Sequence, residues 1–113
     1  MEKYIPENME ECFEELNKIL TNNEIKEFKT KKEEDTIVKY HNGLGRYIRN
    51  KWGLWNDSVL CNWFKNLGIY HADDMSSIII LSFWRHLNKK PICIDDQVKD
   101  YINFNVRENE KNI

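Results

Sequence analysis

The first strong periodicity lies between residues 9 and 20. At about 100° per residue, Met9, Cys12, Phe13, Leu16, Ile19 and Leu20 fall in a stripe about 120° wide, with Glu10, Glu11, Glu14 and Lys18 on the other side. Asn8 and Glu11 have the spacing of a capping box, in which each side chain satisfies a backbone donor at the other position. Pro6 fixes the entry just upstream. The pattern predicts an amphipathic helix ending near Leu20. Thr21, Asn22 and Asn23 offer caps for a short second helix that buries Ile25 and Phe28. The charged run KTKKEED that follows reads as a solvated connection or an exposed first turn.

From about Glu33 to Lys51 the apolar positions Ile37, Tyr40, Leu44, Ile48 and Trp52 recur at helical spacing, and Gly53 is placed to terminate. Gly43 and Gly45 conflict with this, since each costs about 1 kcal/mol against alanine in a helix interior. The helix therefore either breaks near them or is closely approached there by another backbone. Asn56 or Asp57 is positioned to cap a fourth helix carrying Val59, Leu60, Trp63, Phe64 and Leu67, with Gly68 as its left-handed C-terminal residue.

The next segment, IYHADDMSSIIILSFWRHLN, has no properly polar side. Met75, Ile79, Ser82 and His86 share one face, Ile80, Phe83 and Leu87 another, and Trp84 a third. A helix apolar all round is buried, so residues 73 to 87, capped by His71 or Asp73, are predicted to form the central helix. Three consecutive isoleucines would also suit a strand, but the length of the run favours helix. After Pro91 come a short extended ICI and a terminal helix from about Asp95, with Val98, Tyr101 and Ile102 inward. The expected fold is all-α: one domain over residues 1–107, five or six short helices around a buried central one, with a frayed tail at 108–113.

Composition supports one core. A chain of 113 residues with 41% apolar and 12% aromatic residues is long enough to bury roughly two thirds of its unfolded surface. A charged fraction of 32% and a net charge of -2 suit a soluble protein. There is no apolar run of membrane-spanning length, and the acidic start MEKYIPENMEECFEEL is unlike a signal peptide, so the expected location is the cytoplasm. Cys12, Cys61 and Cys93 are odd in number and widely spaced, which excludes a disulfide framework and a CxxC knuckle as readings. No metal site and no cofactor are expected, because the histidines at 41, 71 and 86 show no i,i+4 pair.

Charge is uneven along the chain. Residues 1–35 carry 11 acids and 6 bases, residues 36–90 carry 3 and 8, and residues 91–113 carry 5 and 3. The basic middle also holds all four tryptophans, all three histidines and all four glycines. Within it, YHNGLGRYIRNKWGLW combines Arg46, Arg49, Asn50, Trp52 and Trp55. Arginine forks bind carboxylate or phosphate and tryptophan stacks on planar groups, yet the glycine spacing matches neither a dinucleotide fingerprint nor a P-loop. The structural alternative makes Trp52 and Trp55 core and has Arg49 and Asn50 tie down the turn after Gly53. In HADDMS, His71 beside Asp73 and Asp74 has the makings of acid–base work. The structural alternative is helix-start capping and dipole compensation. Ser82 and His86, one turn apart, read better as a buried polar pair than as nucleophile and base. The acidic face of Glu7, Glu10, Glu11, Glu14 and Glu15 suits either solvent or a basic partner. Direct nucleic-acid binding is not expected, since the bases are scattered and the whole chain is acidic.

HNGLGRYIRNKWGLW, GIYHADDMSSIII and WRHLN together resemble an uncharacterised bacterial and phage family of small domains of unknown function, with the pattern H-x-G-L-G-x-x-I-R-N-x-W-G-L-W followed by G-I-x-H-P-D-D-M-S and R-x-L-N. Ala72 stands where that pattern has proline, a residue suited to a helix's first position. The resemblance covers about residues 8–102 and implies that Arg49, Asn50, His71, Asp73 and Arg85 share one arrangement. The functional expectation is a non-enzymatic protein-binding module. It would be an inhibitor or immunity-type protein that masks a toxin, a defence protein or a host nuclease. The rival is a ligand-binding or catalytic domain that recognises phosphate or nucleotide through Arg49, Asn50 and His71.

Overall fold

Asn8 opens the first helix as its spacing predicts, its Oδ1 accepting the Glu11 backbone N–H at 2.9 Å. The computed structural model describes residues 5–111, with side chains through Glu108. Its elements are α1 (Met9–Ile19), α2 (Asn22–Thr30), α3 (Glu33–Tyr40), a π-helical turn (His41–Gly45), α4 (Arg46–Lys51), α5 (Val59–Asn66), α6 (Ala72–Leu87) and α7 (Ile94–Lys111). Because α3, the π turn and α4 are continuous, these make six helical rods, and no described residue lies in a strand. The fold is all-α.

The caps follow local chemistry, with corrections. Glu11 returns its bond to the Asn8 side chain, its Oε2 accepting from Asn8 Nδ2 at 3.4 Å, while its Oε1 accepts the Glu7 N–H at 3.1 Å. Thr21 does form a full capping box with Glu24, at 3.1 Å and 2.8 Å. For α5 the cap is neither Asn56 nor Asp57 but Ser58, whose Oγ accepts the Cys61 N–H at 3.0 Å and donates to the Gly53 carbonyl at 3.1 Å. That double role needs a hydroxyl, which both donates and accepts. Val59 is exposed, outside the stripe set by Leu60, Cys61 and Phe64.

The two glycines of the third segment neither break the helix nor admit a foreign backbone. The helix widens into a π turn and continues. At Gly45 it is a side chain that comes close: a Cβ there would lie 2.8 Å from Arg49 Nη1 and 3.3 Å from the Tyr40 carbonyl oxygen. Gly53 then ends α4 at φ +66, with the Leu54 N–H bonding back to the Arg49 carbonyl at 3.1 Å. Gly68 ends α5 in the same way at φ +98. Both positions require the left-handed conformation that glycine reaches without a Cβ penalty.

Helix α6 is the central element. It packs against α1, α2, α3, the π turn, α4, α5 and α7, and Met75, Ile78, Ile79, Ile80 and Phe83 are buried on all its sides. Burying each such side chain is worth roughly 1.5–3 kcal/mol. His71 occupies its N-cap position without a side-chain cap bond, and Asp73 and Asp74 supply first-turn negative charge instead. The expected Ser82–His86 pair does not form. Ser82 is buried and accepts from Gln97 Nε2 of α7 at 3.1 Å, whereas His86, at the exposed end of α6, stacks on Phe13 at 4.5 Å.

Trp84 Nε1 donates to the Lys31 carbonyl at 3.0 Å and ties the end of α2 to α6. The connection to α7 is not an extended ICI. Lys89 (φ 56) and Cys93 (φ 53) are both left-handed, because the chain must reverse sharply to return along α6. Val98 of α7 is buried and Tyr101 and Ile102 are half-buried against the core. α7 is helical to Lys111, and residues 112 and 113 of the expected tail lie outside the described residues. Among the described residues no helix is long and apolar enough to cross a membrane.

Candidate functional site

The widened helix and the start of α6 meet at one side chain. Arg49 is only 6% exposed, and all three nitrogens of its guanidinium are engaged. Nη1 donates to Ser76 Oγ at 2.9 Å, Nη2 to the His41 carbonyl at 3.1 Å, and Nε lies 3.4 Å from Asp73 Oδ1. Ser76 Oγ in turn donates to the Asp73 carbonyl at 3.0 Å. Gly45 leaves the room for the guanidinium. The arrangement is a clamp between the π turn and the first turn of α6. A buried arginine of this kind is held because every guanidinium nitrogen has an oxygen partner and its charge faces a carboxylate.

The other candidate residues divide between clamp and surface. Trp52 is 1% exposed and belongs to the core, so it is not available to stack on a ligand. Arg49, buried and engaged at each guanidinium nitrogen, is likewise not presented to solvent. These two placements correct the expectation that both residues form a binding site. Trp55 corrects the opposite expectation, that both tryptophans are core, because it is 61% exposed. The positive φ of Gly53 between them turns the chain and sends the two rings in different directions.

Asn50 fixes the outer tryptophan: its Oδ1 accepts from Trp55 Nε1 at 3.0 Å. Asn50 and Arg46 are exposed, as is His71. Asp74 accepts from Asn105 Nδ2 of α7 at 3.3 Å. With Asp100 it adds to the burial that raises the Tyr101 hydroxyl above its ordinary pKa, against a lowering hydrogen bond from Ser77. His71 and Asp74 therefore do not converge on Arg49.

Arg85 is structural as well. Nη1 donates to the Ile92 carbonyl at 2.7 Å and Nη2 to Glu33 Oε2 at 3.2 Å, which joins the start of α3, the end of α6 and the reversal before α7. Glu33, the first residue of α3, belongs to the charged run at residues 29–35, and no motif in the sequence marks it as the partner of Arg85. Glu7, just ahead of α1, and Glu10 and Glu14 on it are exposed, while Glu11 and Glu15 are half-buried. Among the described residues no group of three or more histidine, cysteine, aspartate or glutamate side chains is placed to hold a metal ion.

Fold and site together define a small all-α domain packed around α6, with a buried arginine clamp at the start of that helix and with Trp55 and several acidic side chains on the outside. The family model of a domain of unknown function, DUF6794, matches residues 5–87, and the chain belongs to that family. The match ends with the last residue of α6, so α7 lies beyond it. No curated protein and no solved structure matches the sequence.

Proposed function

We propose that this protein is a non-enzymatic protein-binding module of bacterial or phage origin. In this reading it acts in the cytoplasm as an inhibitor or immunity-type protein that masks the surface of a toxin, a defence protein or a nuclease. The observation that carries the reading is Trp55, a large aromatic ring held outside the fold with its only polar group already paired to Asn50. Its faces are thus apolar and oriented in advance, which is the character of an interface hot spot. Val59, the first residue of α5, is a second exposed apolar side chain, at 57%. The exposed Glu7, Glu10 and Glu14 suit a basic partner, where opposite charge accelerates association and sets orientation. The rival phosphate or nucleotide reading has less support, because Arg49 spends its donors inside the chain.

The test is co-purification of a tagged copy from its own host, followed by measured binding of whatever protein is recovered at stoichiometric level. Trp55→Ala is expected to weaken that complex by about 2 kcal/mol or more, roughly thirtyfold. Reversing Glu10 and Glu14 to lysine is expected to slow association about tenfold at low salt, with stability changed by less than about 0.5 kcal/mol. A nucleotide recovered in place of a protein, bound with an affinity that Trp55→Ala leaves unchanged, would refute the reading.

A further inference from the structure

Beside the π turn lies a second feature that the clamp does not use. The ends of α1 and α2 and the widened helix enclose an apolar cleft of about 410 Å³, within the size range of sites that take a ligand or a few partner side chains. Leu20, Phe28, Tyr40, Leu44 and Tyr47 line it. Phe28 is buried at its base, with the Tyr40 ring edge-on at 4.8 Å, while Tyr40, Leu44 and Tyr47 remain partly open to solvent.

Gly43 also lines the cleft. The other three glycines have a reason inside the fold: Gly53 and Gly68 adopt positive φ, and Gly45 makes room for Arg49. Gly43 has none. Its φ is not in the left-handed region, and a Cβ built on it meets nothing within 4 Å. A glycine in a helical segment carries an entropic cost that alanine would relieve. Where no neighbour in the chain needs the space, the missing side chain suits close approach of something from outside. π turns within α-helices occur frequently at functional sites, and this one forms a wall of the cleft.

The charge at the cleft is unequal. Glu24 and Glu27 line it from α2, against Lys39 from α3. Glu27 lies 3.6 Å from Lys31 in an exposed i,i+4 pair, a contact weak enough for an incoming cation to replace. The Tyr40 hydroxyl, raised above its ordinary pKa by burial and then by Glu27, stays protonated and able to donate.

We infer that this cleft seats a peptide segment of the partner protein, an apolar side chain entering between Phe28, Leu44 and Tyr47 and an adjacent lysine or arginine reaching Glu24 and Glu27, with the segment's backbone passing over Gly43. The inference rests on the protein-binding reading and assigns that reading a recognition site separate from Trp55.

A random-peptide library displayed on phage and selected on the full chain tests it. The enriched peptides are expected to place leucine or an aromatic residue next to lysine or arginine. Gly43→Leu, which fills the cleft from a position whose Cβ starts in open space, should weaken their binding about tenfold or more without lowering the melting temperature. The pair Glu24→Gln and Glu27→Gln keeps the α2 capping box, since glutamine serves there too, and should weaken binding severalfold. If Gly43→Leu fails to fold, the glutamine pair alone decides. No enrichment, acidic consensus sequences, or binding unchanged by these substitutions overturns the inference. On the native partner, loss with Trp55→Ala and none with Gly43→Leu overturns the cleft alone, whereas recovery of a nucleotide and no protein partner overturns the protein-binding reading as well.

Discussion

Arg49 and Trp55 show how two side chains in one motif come to different ends. Arg49 sits at the last turn of α4, and its long side chain runs back over Gly45 to the start of α6, where Ser76 and Asp73 receive it. Removing it leaves the His41 carbonyl without its arginine donor and Ser76 Oγ without its charged partner, and it opens a cavity beneath the π turn. Arg49→Ala is expected to cost about 2–4 kcal/mol of stability, read from the denaturant midpoint. Asp73 is half exposed, so solvent takes over part of its charge, which holds the figure at the lower end for a broken buried pair. Trp55→Ala, by contrast, should change stability by less than about 0.5 kcal/mol, because its ring rests largely in water.

At the scale of elements, three helices end in the same hydrogen-bonded motif with different residues at the left-handed position. In α4 and α5 that position is Gly53 and Gly68; in α6 it is Lys89, at φ 56. The closing bonds of α6 are fully made, from the Lys90 N–H to the Arg85 carbonyl at 2.8 Å and from the Lys89 N–H to the His86 carbonyl at 3.2 Å. Lysine bears the steric penalty that glycine avoids there. Lys89→Gly is therefore expected to stabilise the protein by about 1 kcal/mol, seen as a raised melting temperature. The widened third helix makes the complementary point. Its apolar spacing is continuous across Gly43 and Gly45, and the packing that accommodates Arg49 keeps it helical through two poor helix formers.

For the molecule as a whole, one buried thiol links stability to pH. Cys12 faces the core from α1, and burial, aided by the neighbouring Glu11, pushes its pKa far above the ordinary value of 9.0. The folded thiol thus stays protonated where the unfolded one ionises. The unfolded state then binds fewer protons than the native state, and stability falls as pH rises. Stability should be intact below about pH 9 and then decline, with Cys12 contributing up to about 1.4 kcal/mol per pH unit. Tyr40 and Tyr101, both raised by burial, add to the decline at higher pH. In Cys12→Ala the starting stability is lower because of the cavity, but the loss between pH 8 and about 10.5 should be shallower. Urea unfolding at several pH values measures both slopes.

What the sequence by itself determined is local. Caps, helix stripes and C-terminal glycines depend on residues a few positions apart, so α1, α2, the end of α4 and the burial of α6 were legible from spacing. Where a cap was misplaced, as at Ser58, several polar residues competed within one turn. The tertiary structure decided everything that joins distant positions. Arg49 meets Ser76 across 27 residues and Arg85 meets Glu33 across 52, and no periodicity records which polar side chains on separate helices will face each other. It also decided that Trp52 goes in and Trp55 out, since the same apolar ring serves either side of a turn. The cleft over Gly43 exists only because three segments pack around it. Short-range order follows from backbone geometry and hydrogen bonding, whereas the pairing of helices is set by how their side chains fill one shared core.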